Sequence, residues 1–140
     1  MATAWRRLCD HAQFQALLST RPAARSAHFA LHRWRHPVPC DGRFADAATP
    51  EMAALFAPPD AVWIGAMTPK RWARRAVTRN LMRRQIYAVF GQSAAALPAG
   101  AHLIRLRAGF DAVQFPSAAS LALRRAVRGE LLTLLTFALS

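Results

Sequence analysis

The sequence predicts an α+β domain, a small sheet with helices packed against it, and three observations carry that expectation. Segments of helical and of strand-like apolar patterning follow one another in the order helix, strand, strand, helix, strand, helix. The chain has 140 residues, the length of a single domain spanning 1–140, and 54% of them are hydrophobic, enough to build a core. An apolar strand, an amphipathic helix and a further strand stand in succession, which is the pattern of a βαβ unit.

Each element has its own local reason. Asp10 can cap a helix over residues 11–18, with Phe14, Leu17 and Leu18 on one side, and Arg21-Pro22 ends it. Residues 27–35 alternate, with Phe29 and Leu31 on one face and His28, Ala30, His32 and Trp34 on the other. Residues 36–60 are rich in proline, alanine and glycine and are too long for an ordinary strand connection. Within them Thr49-Pro50-Glu51 can open one short helical turn. Residues 61–67 are mostly apolar and read as a central strand. After the helix that follows, with Gly91 as a suitable C-cap, Leu97-Pro98-Ala99-Gly100 forms a turn. Residues 102–107 place His102, Ile104 and Leu106 on one face of a strand and Leu103, Arg105 and Arg107 on the other. Ser117 or Ser120 caps a last helix in which Leu123, Val127, Leu131, Leu134 and Ala138 recur at helical spacing.

Charge points to the working surface. The net charge is +12, and of the 19 basic residues only Lys70 is a lysine. Such a balance calls for a polyanionic partner, and arginine's planar fork suits phosphate and bases. Residues 65–90 carry basic residues and no carboxylate. Their first part, 68–75, reads as a basic loop. From Val77 onward, Arg79, Asn80, Arg83, Arg84, Tyr87 and Phe90 fall within one arc of roughly 140° of a helix, with apolar residues opposite. A solvated face usually alternates its charge signs, and this one does not.

Ile64-Gly65, Lys70-Arg71, Ala76-Val77-Thr78-Arg79-Asn80 and Arg83-Arg84 resemble, in residue type and spacing, the basic motif of the protein subunit of bacterial ribonuclease P. The likeness extends more weakly from Phe14 to the last helix. Two positions depart from the motif: Leu81 stands where the family has the second arginine of Arg-Asn-Arg, and Tyr87-Ala88 where it has Arg-Glu. The resemblance implies an αβββαβα fold with about four strands and a left-handed βαβ crossover, although right-handed is the general rule. One of those strands has no place in the pattern above, unless it lies in the long loop, which looks like an insertion. The resemblance also implies a function: the RNA subunit and its magnesium ions cleave the 5′ leader from precursor tRNA, and the protein binds that RNA and the leader. Carried over, Lys70, Arg71, Arg74, Arg75, Arg79, Asn80, Arg83 and Arg84 are the RNA-binding residues. Phe14, Phe29 and His32 line a leader cleft between the first helix and the sheet, and strand parity adds Trp34, since a planar side chain can stack on an unpaired base. The expected partners are the catalytic RNA and precursor tRNA, with one protein copy in the complex and no cofactor on the protein itself.

Other classes fit less well. The seven acids do not cluster in sequence, and His28, His32 and His36 on a strand would spread over roughly 26 Å, so neither a catalytic carboxylate set nor a metal site is expected on the chain. Cys9 and Cys40 make no disulfide framework or zinc pattern. The first residues lack the apolar run of a signal peptide, and the C-terminal apolar run is too short to span a bilayer, so a cytoplasmic protein is expected. A ribosomal-type or other nucleic-acid-binding protein without a processing role is the alternative. A membrane-surface protein is a further one, requiring the apolar helix face to be free.

Overall fold

The computed structural model describes residues 4–36 and 50–139. In chain order the elements are β1 (Arg6–Arg7), α1 (His11–Leu18), β2 (Ala24–Arg25), β3 (Phe29–Arg35), α2 (Pro50–Leu55), β4 (Val62–Met67), α3 (Ala76–Gln92), β5 (Gly100–Leu106) and α4 (Leu121–Ala138), with a short 3-10 turn at Ala94–Ala96. The strands form one mixed sheet in the order β1-β4-β5-β3-β2. β4 and β5 are parallel neighbours joined through α3, and β3 runs antiparallel to β5 over seven residue pairs, from Phe29 opposite Leu106 to Arg35 opposite Gly100.

Period-two alternation in the central strands builds two cores, one on each face of the sheet. On one face Phe29, Leu31, Val62, Ile64, Ile104 and Leu106 meet Leu81, Met82, Ile86, Val89 and Phe90 of α3 and Leu123, Val127, Leu131 and Leu134 of α4. On the other, Trp34, Ala101 and Leu103 meet Leu8, Leu17 of α1 and Phe56, just past α2. Each of these large side chains, once fully buried, contributes about 1.5–3 kcal/mol through removal of apolar surface from water. The apolar face of α3 is therefore spent on the core, and it is not free to lie on a lipid surface. No helix among the described residues is long and apolar enough to cross a membrane.

Ser120 rather than Ser117 caps α4, its hydroxyl oxygen accepting from the Leu123 backbone N–H at 3.0 Å. Gly100 opens β5 at φ +141°, where an added Cβ would collide with the Trp34 carbonyl, so the turn requires glycine.

Five expectations change. The missing strand is supplied by β2, ahead of β3, and a fifth strand, β1, pairs in parallel with β4. Both hold only two residues, too few to leave any periodic trace. Gly91 lies inside α3, which continues to Gln92 and ends at Ser93 without a left-handed residue. Phe90, which the helical wheel puts among the arginines, is fully buried, whereas Val77, which the same wheel puts on the opposite, apolar side, is 52% exposed in the first turn. A wheel gives angular order but not where along its length the helix meets its neighbours. Of the long segment, residues 50–55 form α2, and the Thr49 cap lies outside the described residues.

Candidate RNA interface

The chain enters the basic stretch from the end of β4. Pro69 starts a tight turn, whose carbonyl accepts from the N–H groups of Trp72 and Ala73. Lys70, Arg71, Arg74 and Arg75 are exposed there, and so are Asn80 and Arg84 on α3. Arg79 and Arg83 are half-buried because each is engaged with its own chain. The Nη1 of Arg79 donates to the carbonyls of Ala73 (3.0 Å) and Arg74 (2.8 Å), tying the loop to the helix. Arg83 donates through Nη1 to the Thr68 hydroxyl at 3.2 Å and through Nη2 to the Asn80 side-chain oxygen. None of these cations meets a carboxylate among the described residues. The eight basic-motif residues thus lie on the loop after β4 and on the first half of α3, with Arg79 bracing the one to the other.

Beside it lies a cleft of about 430 Å³ between α1 and the end of β4, lined by His11, Phe14, Gln15 and Leu18, by Ala66 and Met67, and by Thr68, Pro69 and Arg83. Arg83 also lines a second, basic concavity, so the two surfaces share that side chain. An aromatic ring, aliphatic walls and one guanidinium suit a single-stranded nucleotide, whose base stacks while its phosphate pairs with the cation.

The expected cleft residues divide. Phe14 is in the cleft. Phe29 is fully buried on the opposite face of the sheet, against α3 and α4, and is a core residue. His32 and Trp34 face α1 as parity predicts, yet they are only 3% and 5% exposed. The Nδ1–H of His32 donates to the Thr20 carbonyl at 3.1 Å, and its Nε2 accepts from the Arg105 Nε at 3.3 Å. Burial first, and the Arg105 charge second, lower its pKa and favour this neutral form. Trp34 packs against Phe56, with ring centroids 5.6 Å apart, and edge-on against His36, whose Nε2–H donates to the Phe56 carbonyl at 2.6 Å. Alternation gives the face of a strand residue; it does not tell which part of that face α1 and Phe56, within the inserted segment, will cover. Neither ring is open to a stacking base in this structure.

The sequence reading missed His11, Gln15, Leu18 and Thr68 in the cleft, and Arg7 beside the arginine helix. Apolar or polar residues bordering a cleft have no signature of their own, but the Arg6-Arg7 doublet was visible as charge. The arginines at the end of β5 and just past it bond within the chain: Arg105 holds His32, and Arg107 donates to the carbonyls of Ser26 (2.8 Å) and Ala27 (3.1 Å). Among the described residues no three His, Cys, Asp or Glu side chains come together as a metal site would need. Glu130 is occupied by the Ser26 hydroxyl, the His28 backbone N–H and the His28 imidazole, the last at 2.5 Å.

Comparison with known proteins bears on the family and the fold. The family model Ribonuclease P matches residues 3–128. The chain is 32% identical over 129 residues to the ribonuclease P protein component of Burkholderia pseudomallei strain 1106a, covering 92% of this chain and 79% of that protein. It is 31% identical, with the same coverage, to the ribonuclease P protein component of Burkholderia mallei strain SAVP1. The fold resembles that of the Staphylococcus aureus RNase P protein, with a TM-score of 0.62 at 17% identity over 97% of this chain and 96% of the other. With the motif, the fold and this similarity over most of its length, the chain belongs to the ribonuclease P protein family.

Proposed function

We propose that the chain binds the catalytic RNA of ribonuclease P through the loop-and-helix surface and holds the 5′ leader of precursor tRNA in the cleft at Phe14, one copy serving each complex. The observation that carries this is Arg83, which borders both the basic surface and the cleft. A leader strand laid in the cleft would run directly onto the surface that grips RNA. Phosphate contacts there position the strand without reading its sequence, and stacking on Phe14 is tolerant of base identity.

On this reading the phosphodiester is hydrolysed by the RNA subunit with the magnesium ions it holds. The dispersal of the described carboxylates and histidines supports that division of labour, because two-metal phosphoryl chemistry needs them gathered. The chain itself screens phosphate charge and orients the substrate.

Reconstitution with the catalytic RNA and a precursor tRNA tests this: the protein should raise 5′ maturation at low magnesium. Cleavage by the protein in a preparation free of RNA would overturn the assignment of chemistry. Phe14→Ala should weaken precursor binding by about 1–3 kcal/mol and leave mature tRNA unaffected, because only the precursor has a leader. Equal losses for both would mean that the cleft is not the leader site.

A further inference from the structure

Outside the basic motif, one arginine reaches the same surface from the far end of the chain. β1 lies at the edge of the sheet beside β4, and alternation along it sends Arg6 and Arg7 to opposite faces. The Arg6 guanidinium lies over the Trp63 ring at 5.6 Å, on the α1 side. That of Arg7 lies over the Tyr87 ring of α3 at 4.1 Å. Arg7 thereby joins Asn80, Arg83, Arg84 and Tyr87 around a concavity of about 480 Å³ whose lining contains no carboxylate.

The placement is fixed by packing on both sides of Arg7. Trp5 stacks on Tyr87, centroids 5.6 Å apart and planes 14° from parallel, and a Cβ on Gly91 would come within 2.9 Å of the Trp5 ring. The glycine inside α3 is what lets the indole lie so close to the helix. On the other side Leu8 is buried, and its N–H donates to the Ile64 carbonyl at 3.0 Å. Arg7 therefore sits between two anchored residues, and much of the conformational entropy that a terminal arginine would lose on binding is already lost. Three guanidiniums converging without an acid leave an unmet requirement for negative charge, and the fork geometry of each suits a phosphate.

We propose that Arg7, Arg83 and Arg84, with Asn80, form a phosphodiester-binding site for RNA between β1 and α3, in which Arg7 is the contact contributed by the N-terminal strand and Tyr87 is its positioning residue. This rests on the RNA-binding reading above and extends it to a residue outside the basic motif. The Tyr87 ring carries Arg7 by cation–π attraction and leaves its edge N–H groups free to face the phosphate.

The test measures affinity of the intact chain for the catalytic RNA subunit, transcribed in vitro, as a function of monovalent salt. Arg7→Ala should weaken binding roughly tenfold and reduce the slope of log affinity against log salt by about 0.7–0.9, the signature of one lost phosphate contact. Arg7→Lys should keep the slope. Arg7→Gln retains the aliphatic stem over Tyr87 and should show the same reduced slope as Arg7→Ala, which keeps the test open even if the alanine variant folds poorly. Tyr87→Leu should weaken binding when Arg7 is present and add nothing in the Arg7→Ala chain. Wild-type slope and affinity in Arg7→Ala and Arg7→Gln, with Arg84→Ala still weakening, would overturn the Arg7 site and leave the RNA-binding reading standing. A flat salt profile for the wild type, indifferent to Arg84→Ala as well, would sink both.

Discussion

His102 shows how one residue ties this fold to pH. It lies on the α3 and α4 side of β5, fully buried, with Nε2–H donating to the Pro98 carbonyl at 3.0 Å and Nδ1 without a partner among the described residues. Burial, reinforced by the charges of Arg33 and Arg35, pushes its pKa down to about 4. The folded value is below that of the unfolded chain, so its contribution is fully present above pH ~6.5 and is lost as pH falls toward about 4. The whole loss is on the order of 3 kcal/mol. Denaturant midpoints at pH 7 and pH 5 should therefore differ more for the wild type than for His102→Gln; equal differences would show that His102 is not the group responsible. Arg79 makes a second residue-scale case. Its two bonds to the carbonyls of Ala73 and Arg74 predict that Arg79→Ala loosens the basic loop, by about 1–3 kcal/mol. Faster hydrogen exchange at Trp72 and Ala73 should reveal this, while Arg84→Ala, at an exposed position, should leave exchange there unchanged.

At the scale of elements, α3 divides its circumference between two tasks. Leu81, Met82, Ile86, Val89 and Phe90 hold it to the sheet and to α4, and Asn80, Arg83, Arg84 and Tyr87 face outward beside the cleft and the basic concavity. If about six of the cations contact phosphates, affinity for structured RNA should fall by roughly 10³-fold or more between 50 and 200 mM salt. A filter-binding series checks this, and a shallow slope would argue for a surface that docks by shape instead. The division of α3 was legible in the sequence because a seventeen-residue helix gives its period many chances to repeat. The same holds for α4 and for the alternation of β3 and β5. What was not legible depends on contacts between distant segments. Two-residue edge strands exist only through their partners, and the burial of His32 and Trp34 depends on where α1 and Phe56 come to rest. Arg7 escaped for a related reason: its partner Tyr87 is eighty residues away along the chain, and only β1 pairing with β4 brings them together.

For the whole molecule, the sheet and the elements packed on its two faces place the cleft and the arginine surface side by side, meeting at Arg83. Both are built on rigid elements, α1 and β4 on one side and α3 on the other, so their relative position is maintained by two packed cores. A protein that only grips and aligns RNA should be replaceable in part by counterions, because its guanidiniums and free magnesium neutralise the same phosphates. The double variant Arg83→Ala with Arg84→Ala should therefore process precursor tRNA poorly at low magnesium and recover at high magnesium, with cleavage at the same phosphodiester. Leu131→Ala gives the contrasting case. It empties part of the core beneath α4 and should cost about 2–5 kcal/mol of stability. Its activity should follow the fraction folded, with no magnesium rescue beyond what the ion gives the wild type. Cleavage site and magnesium dependence measured side by side separate the two kinds of loss. Failure of magnesium to restore the arginine variant would mean that those side chains do more than screen charge, and the leader contact proposed for Arg83 would then be the first place to look for the difference.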